Sequence, residues 1–297
     1  MSSSSNVRLS ARDSSDIIQN RASRQSLGET GWTILAGVCL VIALIPLFLV
    51  ITYVLIRGFS RLDLAALTQL PPSPLAEGGG FGNALLGTLI MVALAALISV
   101  PFGVIASIFL SEFSNRRLAT LIRFATNVLS GVPSILMGVF VYALIVMRPY
   151  IGFSAFAGSI ALAILMLPVM VRATDEALQI VPQQVRWGSV GLGASKLETV
   201  CRVVLPAALP AIATGVTLAV ARAAGETAPL IFTALFSQYW FDGFLSPTAS
   251  LSVLVYNFAT VPYANQVELA WAGSLILVLI VLLTSILSRW ATRKSIY

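Results

Sequence analysis

The stretch 32–56 reads WTILAGVCLVIALIPLFLVITYVLI and carries no charge over its whole length. A hydrocarbon core about 30 Å thick is crossed by about 20 apolar residues in a helix. This run is long enough to span with some tilt. It is too long for the apolar core of a secretory signal, and no small-residue cleavage site follows it. Five further apolar runs come after it, at 83–110, 121–147, 155–171, 209–236 and 268–288. In lipid every backbone polar group needs a partner within the protein, so spanning segments are helices or closed barrels. Period-two alternation is absent, which argues against a barrel. The expectation is an all-α, polytopic membrane protein with six transmembrane helices.

Composition points the same way. The chain has 297 residues, 58% hydrophobic and 10% charged, against about 25% charged in a soluble domain. A soluble globule could not cover its surface with so few charges. The net charge of +6 does not imply nucleic acid, because the basic residues are distributed as a membrane protein distributes them. With the N-terminus inside, fourteen fall on inner segments, from Arg8 in the tail through Arg116, Arg172, Arg186 and Lys196 to Lys294. Arg57, Arg61 and Arg148 fall outside, and Arg222 lies within a span. This bias places both termini in the cytoplasm. Residues 1–31, serine-rich and polar, read as a flexible cytoplasmic tail, and 32–297 as the membrane domain. The outer loops 57–82 and 237–267 are long. The aromatic residues Tyr239, Trp240 and Phe241 in the second are either interface anchors or a docking surface for an external partner.

Several chemistries are excluded. The chain has no histidine, so histidine triads and the usual zinc sites cannot form within it. Cys39 and Cys201 are far apart, without metal or disulfide spacing. No GxxxxGK[ST] motif for ATP is present. The expectation is a protein with no cofactor and no catalytic cluster, a transport subunit and not an enzyme.

Two regions are more than spans and links. The inner connection 172–208 is longer than a passive link needs. Small residues at Gly193 and Ala194 are followed by a polar stretch and then Val203-Val204-Leu205-Pro206. A short helix along the membrane face is expected, with Pro206 ending the helix before it. It rests on headgroups or receives another protein. In the fifth run, Arg222 and Glu226 stand four apart on one helix face, at a depth where a cation costs about 2.5–3.5 kcal/mol. They form either an internal ion pair that locks packing or part of a substrate path. Pro229 is expected to kink the helix beside them, and Gly225 to thin it for a close neighbour.

The segment 186–206 resembles the EAA loop of ABC importer permeases, whose pattern places a glycine at Gly193 and an aliphatic-x-Leu-Pro end at Val203, Leu205 and Pro206. The Glu-Ala-Ala positions carry Trp187, Gly188 and Ser189 instead. Within that family of binding-protein-dependent inner-membrane components, three motifs are similar to the phosphate, PstA-like type. They are GGGFGNALLGT at 78–88, GVPSI at 131–135 and ARAAGETAPL at 221–230. The resemblance covers residues 30–297 and implies a type I ABC importer permease fold in the bacterial inner membrane. It implies that Gly193, Ala194, Leu205 and Pro206 couple to a separate ATP-binding subunit, present in two copies. It also implies a second permease of PstC type, an external phosphate-binding protein, and a substrate path through Arg222, Glu226 and Thr227. Glu226 would either position Arg222 or accept the proton that phosphate carries and sulfate lacks. A permease for sulfate or molybdate, and a membrane scaffold without transport, are the alternatives.

Overall fold

The structure, a computed structural model, describes residues 4–293, with side chains from 31 to 286 and that of Trp290. The arginines of the N-terminal segment, and Arg289, Arg293 and Lys294 at the other end, lie outside the residues whose side chains are described. The chain divides into two compact units, Met1–Leu55 and Ile56–Tyr297.

The described residues of the first unit, from Ser4 on, belong to helix α1, Ser4–Phe59. The backbone of 4–31, expected as a flexible tail, is helical and continuous with the apolar run. Gly31–Phe59 is apolar enough and long enough to cross a membrane. Its side chains from Trp32 to Val50 are all exposed, as a helix solvated by lipid requires.

The second unit is helical throughout, with no strand among the described residues. After the end of α1 comes a short helix, α2 (Leu64–Thr68), capped by the Asp63 side chain on the Ala66 amide. Spanning helices follow as α3 (Gly82–Ile108), α6 (Ala155–Ile180), α9 (Leu205–Ala224) and α12 (Ala264–Arg293). The third apolar run is not one straight helix. It is α4 (Arg116–Ser130) and α5 (Ser134–Val141), meeting at 97°. Gly131 caps α4 and Pro133, which has no amide hydrogen, precedes α5; after a glycine cap, the missing donor and the restriction on Val132 favour a new helix over continuation. Among the described residues five helices, the α1 span included, are long enough to cross, or six when the bent pair counts as one.

Small side chains set how these helices meet, as is usual where lipid offers no hydrophobic drive. α3 and α6 run parallel at a constant offset of 67 residues: Met91 lies on Gly158, Ser99 donates to the Met166 sulfur, and Gly103 lies on Met170. α9 runs antiparallel on α6, with Gly215 against Ala173 and with Ala208 and Ile212 in one core with Ala177 and Leu178. At one end of this unit, Asn83 donates to the Ser237 and Tyr239 carbonyls at 2.9 and 3.1 Å, and the Ser154 amide donates to Thr233. The opposite end carries the connection between α6 and α9.

Candidate functional site

Two helix-interior prolines and two helix breaks fall at one height. Pro101 in α3 and Pro168 in α6 differ by the same 67 residues that align these helices, so they stand level. Pro168 is about 20 Å along α6 from its start, at 1.5 Å per residue, near the middle of a bilayer crossing. α9 ends at Ala224, with Gly225 as its cap. A four-residue helix, α10 (Ala228–Ile231), begins after a short gap. The break between α4 and α5 is the second. It meets the α9 side at a cleft of about 10 Å³ lined by Ser130, Val132, Leu165, Pro168, Val169 and Arg222.

Arg222 therefore stands in the last turn of α9, at mid-height, and not in the middle of a continuous fifth helix. The expected run 209–236 stops there because Gly225 and Pro229 favour a cap and a new first turn over continuation. Arg222 Nε donates to Glu226 Oε1 at 3.4 Å, so the two meet although the helix breaks between them. Their side chains differ in setting: 47% of Arg222 is exposed and 15% of Glu226. The Glu226 backbone carbonyl accepts from Ser252 Oγ at 2.7 Å. Ser252 lies in the first turn of α11 (Leu251–Ala259). Thr227 precedes α10 without a side-chain cap bond, which leaves its hydroxyl unused by the helix it starts.

Two expectations about small residues change. A Cβ at Gly225 would meet only the Arg222 carbonyl, at 3.7 Å, so no neighbour approaches there. The close approach is made by Gly138 of α5, where a Cβ would lie 2.6 Å from Pro229 Cα. Pro229 is in the first turn of α10 and does not kink a longer helix.

The inner connection folds as α7 (Gln183–Gly191), a turn, and α8 (Lys196–Thr199). Gly193 sits at φ +91°, in open space; it serves the turn by its backbone angle. Ser195 and Glu198 form a capping box at the start of α8. A π-helical turn, Val200–Val204, leads into α9. Pro206 lies in the first turn of α9 and begins that helix where it was expected to end one; a missing amide is harmless there. Leu205 packs against the Ala177–Leu178–Val181 core, so it is a packing residue. Ala194 and Gly193 lie in the turn, beside the exposed Trp187, Val190, Leu192 and Leu197.

Of the ion pairs that sequence reasoning missed, two join separate helical segments. Arg123 of α4 donates twice to Asp175 of α6 at 2.8 and 3.0 Å, and Gln179 adds a bond of 2.8 Å. The pair borders a cleft of about 280 Å³ that also includes Asn127, Arg172 and Glu176. Arg186 of α7 lies 3.0 Å from Glu112. Asp175 falls in the expected connection 172–208, beyond the run 155–171, and nothing local marks either pair.

Helices broken at mid-height around an arginine are a feature of membrane transporters. The chain belongs to the family described as binding-protein-dependent transport system inner membrane component, whose model matches residues 99–296. Over 234 residues it is 42% identical to the phosphate transport system permease protein PstA of Xylella fastidiosa (strain Temecula1), covering 78% of this chain and 81% of that protein. To the PstA of Yersinia pestis it is 40% identical over 234 residues, 78% of this chain and 79% of that one. The PstA 1 of Mycobacterium tuberculosis (strain H37Rv) is 37% identical over 247 residues, 81% of this chain and 80% of the relative. Among solved structures, a bacterial alginate ABC transporter chain matches with a TM-score of 0.64 at 12% identity, over 89% of this chain and 94% of that one. A chain of the inward-facing MetNI methionine ABC transporter matches with 0.59 at 18%, over 71% and 94%. At these identities the likeness establishes the fold, that of a type I ABC importer permease. The chain is thus a multi-pass inner-membrane component of a binding-protein-dependent transport system.

Proposed function

We propose that this chain is the permease subunit of an ATP-driven phosphate importer, and that Arg222 is where phosphate is held in passage. One observation carries the proposal: a half-exposed guanidinium stands where α9 ends, beside the break between α4 and α5, in a chain about 40% identical to proteins named phosphate permeases. Discontinuous helices near the midplane are a recurring way to build transporter sites, because freed backbone groups can face the substrate. The guanidinium fork suits two oxyanion oxygens and keeps its charge throughout. Glu226 holds that fork between transport cycles, and Thr227 offers a hydroxyl beside it.

An external binding protein delivers phosphate to the outer end, where α2 and the 237–250 segment lie. A separate ATP-binding subunit, in two copies, docks on α7 and α8, and a second permease of PstC type faces Arg222. Both termini are cytoplasmic. ATP-driven displacement of α7 and α8 shifts the permease between outward- and inward-facing states, to the extent that the ATPase binds those states unequally.

Phosphate uptake into proteoliposomes holding the whole transporter tests the Arg222 assignment. Arg222→Gln should abolish uptake with membrane level and ATPase assembly unchanged. Arg222→Lys should recover little, since a point charge does not replace the fork. A fully active Arg222→Gln transporter would reduce the Arg222–Glu226 pair to packing.

A further inference from the structure

The inner connection is tied to one short stretch of α3. Beyond Ile108 that helix widens into a π-helical turn, Phe109–Phe113, closed by the Ser114 amide on the Phe109 carbonyl at 2.8 Å. Such turns are rare and gather at functional positions. Both pieces of the connection reach it. From α7, Arg186 Nη2 lies 3.0 Å from Glu112 Oε1 and donates to the Leu178 carbonyl at 2.7 Å. From α8, Lys196 Nζ lies 5.3 Å from the centre of the Phe113 ring. Ser189 and Thr199 join the two pieces through their hydroxyls at 2.9 Å.

The Glu112–Arg186 pair is an odd choice for stability. The side chains are only 9% and 13% exposed, yet among the described residues Glu112 Oε1 and Arg186 Nε have no hydrogen-bond partner. A buried pair repays its desolvation only when its remaining polar atoms are satisfied, and apolar residues of similar volume do as well or better. What such a pair does supply is a fixed register between the elements it joins. Here those elements are α7, whose Trp187 faces outward, and α3, which runs parallel to α6 past Pro101 at the height of Arg222.

We propose that Glu112 and Arg186 are positioning residues that carry displacement of α7 to α3 and so couple ATP hydrolysis to the Arg222 site. The proposal rests on the docking of α7 and α8 to an ATPase. It is separate from that docking, because Arg186 points into the bundle and Trp187 away from it.

The test uses the assembled transporter with its binding protein in proteoliposomes, reading phosphate taken up per ATP hydrolysed. Glu112→Gln keeps the shape and removes the charge. Assembly should stay normal, hydrolysis should continue, and uptake per ATP should fall about tenfold, within the usual span of coupling between sites. Arg186→Gln should lose the same ratio, and the double substitution no more than either alone, since both break one contact. An assembled Glu112→Gln complex with the original ratio would overturn the proposal. So would uptake and hydrolysis falling together in step with the amount assembled, which is what a folding contact alone would give. If Glu112→Gln fails to accumulate, Glu112→Asp keeps the charge and shortens its reach. A lowered ratio there supports the proposal and an unchanged one sinks it. Docking is read separately, as ATPase copurifying with Trp187→Ala/Leu192→Ala; undiminished copurification would count against docking whatever the Glu112 variants show.

Discussion

Gly138→Ala tests whether the seam between α5 and α10 holds the Arg222 site in shape. The added Cβ would lie 2.6 Å from Pro229 Cα and 2.9 Å from its carbonyl oxygen. Carbon atoms in contact sit about 3.5–4.0 Å apart, so the two segments must separate by about 1 Å. Both atoms are backbone and cannot rotate aside. Overpacking of this kind costs about 1–3 kcal/mol. Pro229 is three residues from Glu226, so the displacement reaches the pair that α9 and α10 hold together. Misplacing a working group by about 1 Å can cost about 100-fold in rate. Phosphate uptake should therefore fall by about one to two orders of magnitude, with a smaller loss of protein in the membrane. Gly37→Ala is the control: its Cβ would have no atom within 4 Å, and uptake should be unchanged. Full uptake by Gly138→Ala would show that the seam can open without consequence, and the site's dependence on it would be refuted.

Asp175→Asn should lower the melting midpoint of the detergent-solubilised protein by the equivalent of about 2 kcal/mol, because Arg123 loses a bidentate partner that is 8% exposed; an unchanged midpoint would make the pair a surface ornament. Gly193→Ala should destabilise the α7–α8 turn by about 1 kcal/mol, since φ +91° is strained for any side chain. Faster proteolysis of the inner connection is the readout, and equal protection would disprove the strain. In a background with Cys39 and Cys201 replaced by serine, an impermeant thiol reagent applied to sealed cells should label Ser73→Cys and Asp242→Cys but not Ser195→Cys, all three being exposed positions. Thr248, in the same outer loop, is 3% exposed and unsuited to labelling. Labelling at 195 would invert the topology.

The apolar runs and the placement of basic residues determined the fold class, the number of crossings and the proposed orientation, because lipid leaves a chain few ways to satisfy its backbone. Arg222 and Glu226 were also legible, as charges in an otherwise apolar span. Local sequence marked a kink at Pro229, where the structure ends one helix and begins another, and held Pro133 only within a motif, where the structure makes a 97° turn. Whether a proline bends, ends or starts a helix depends on which neighbours can take the freed carbonyls, and those neighbours come from other helices. The same holds for Gly225 and Gly138, alike in sequence, of which only Gly138 has a backbone against it. The level alignment of Pro101 with Pro168, the Arg123–Asp175 pair and the Glu112–Arg186 contact depend on helix register. Register is fixed by side chains meeting across dozens of residues of chain, and no local pattern in the sequence records it.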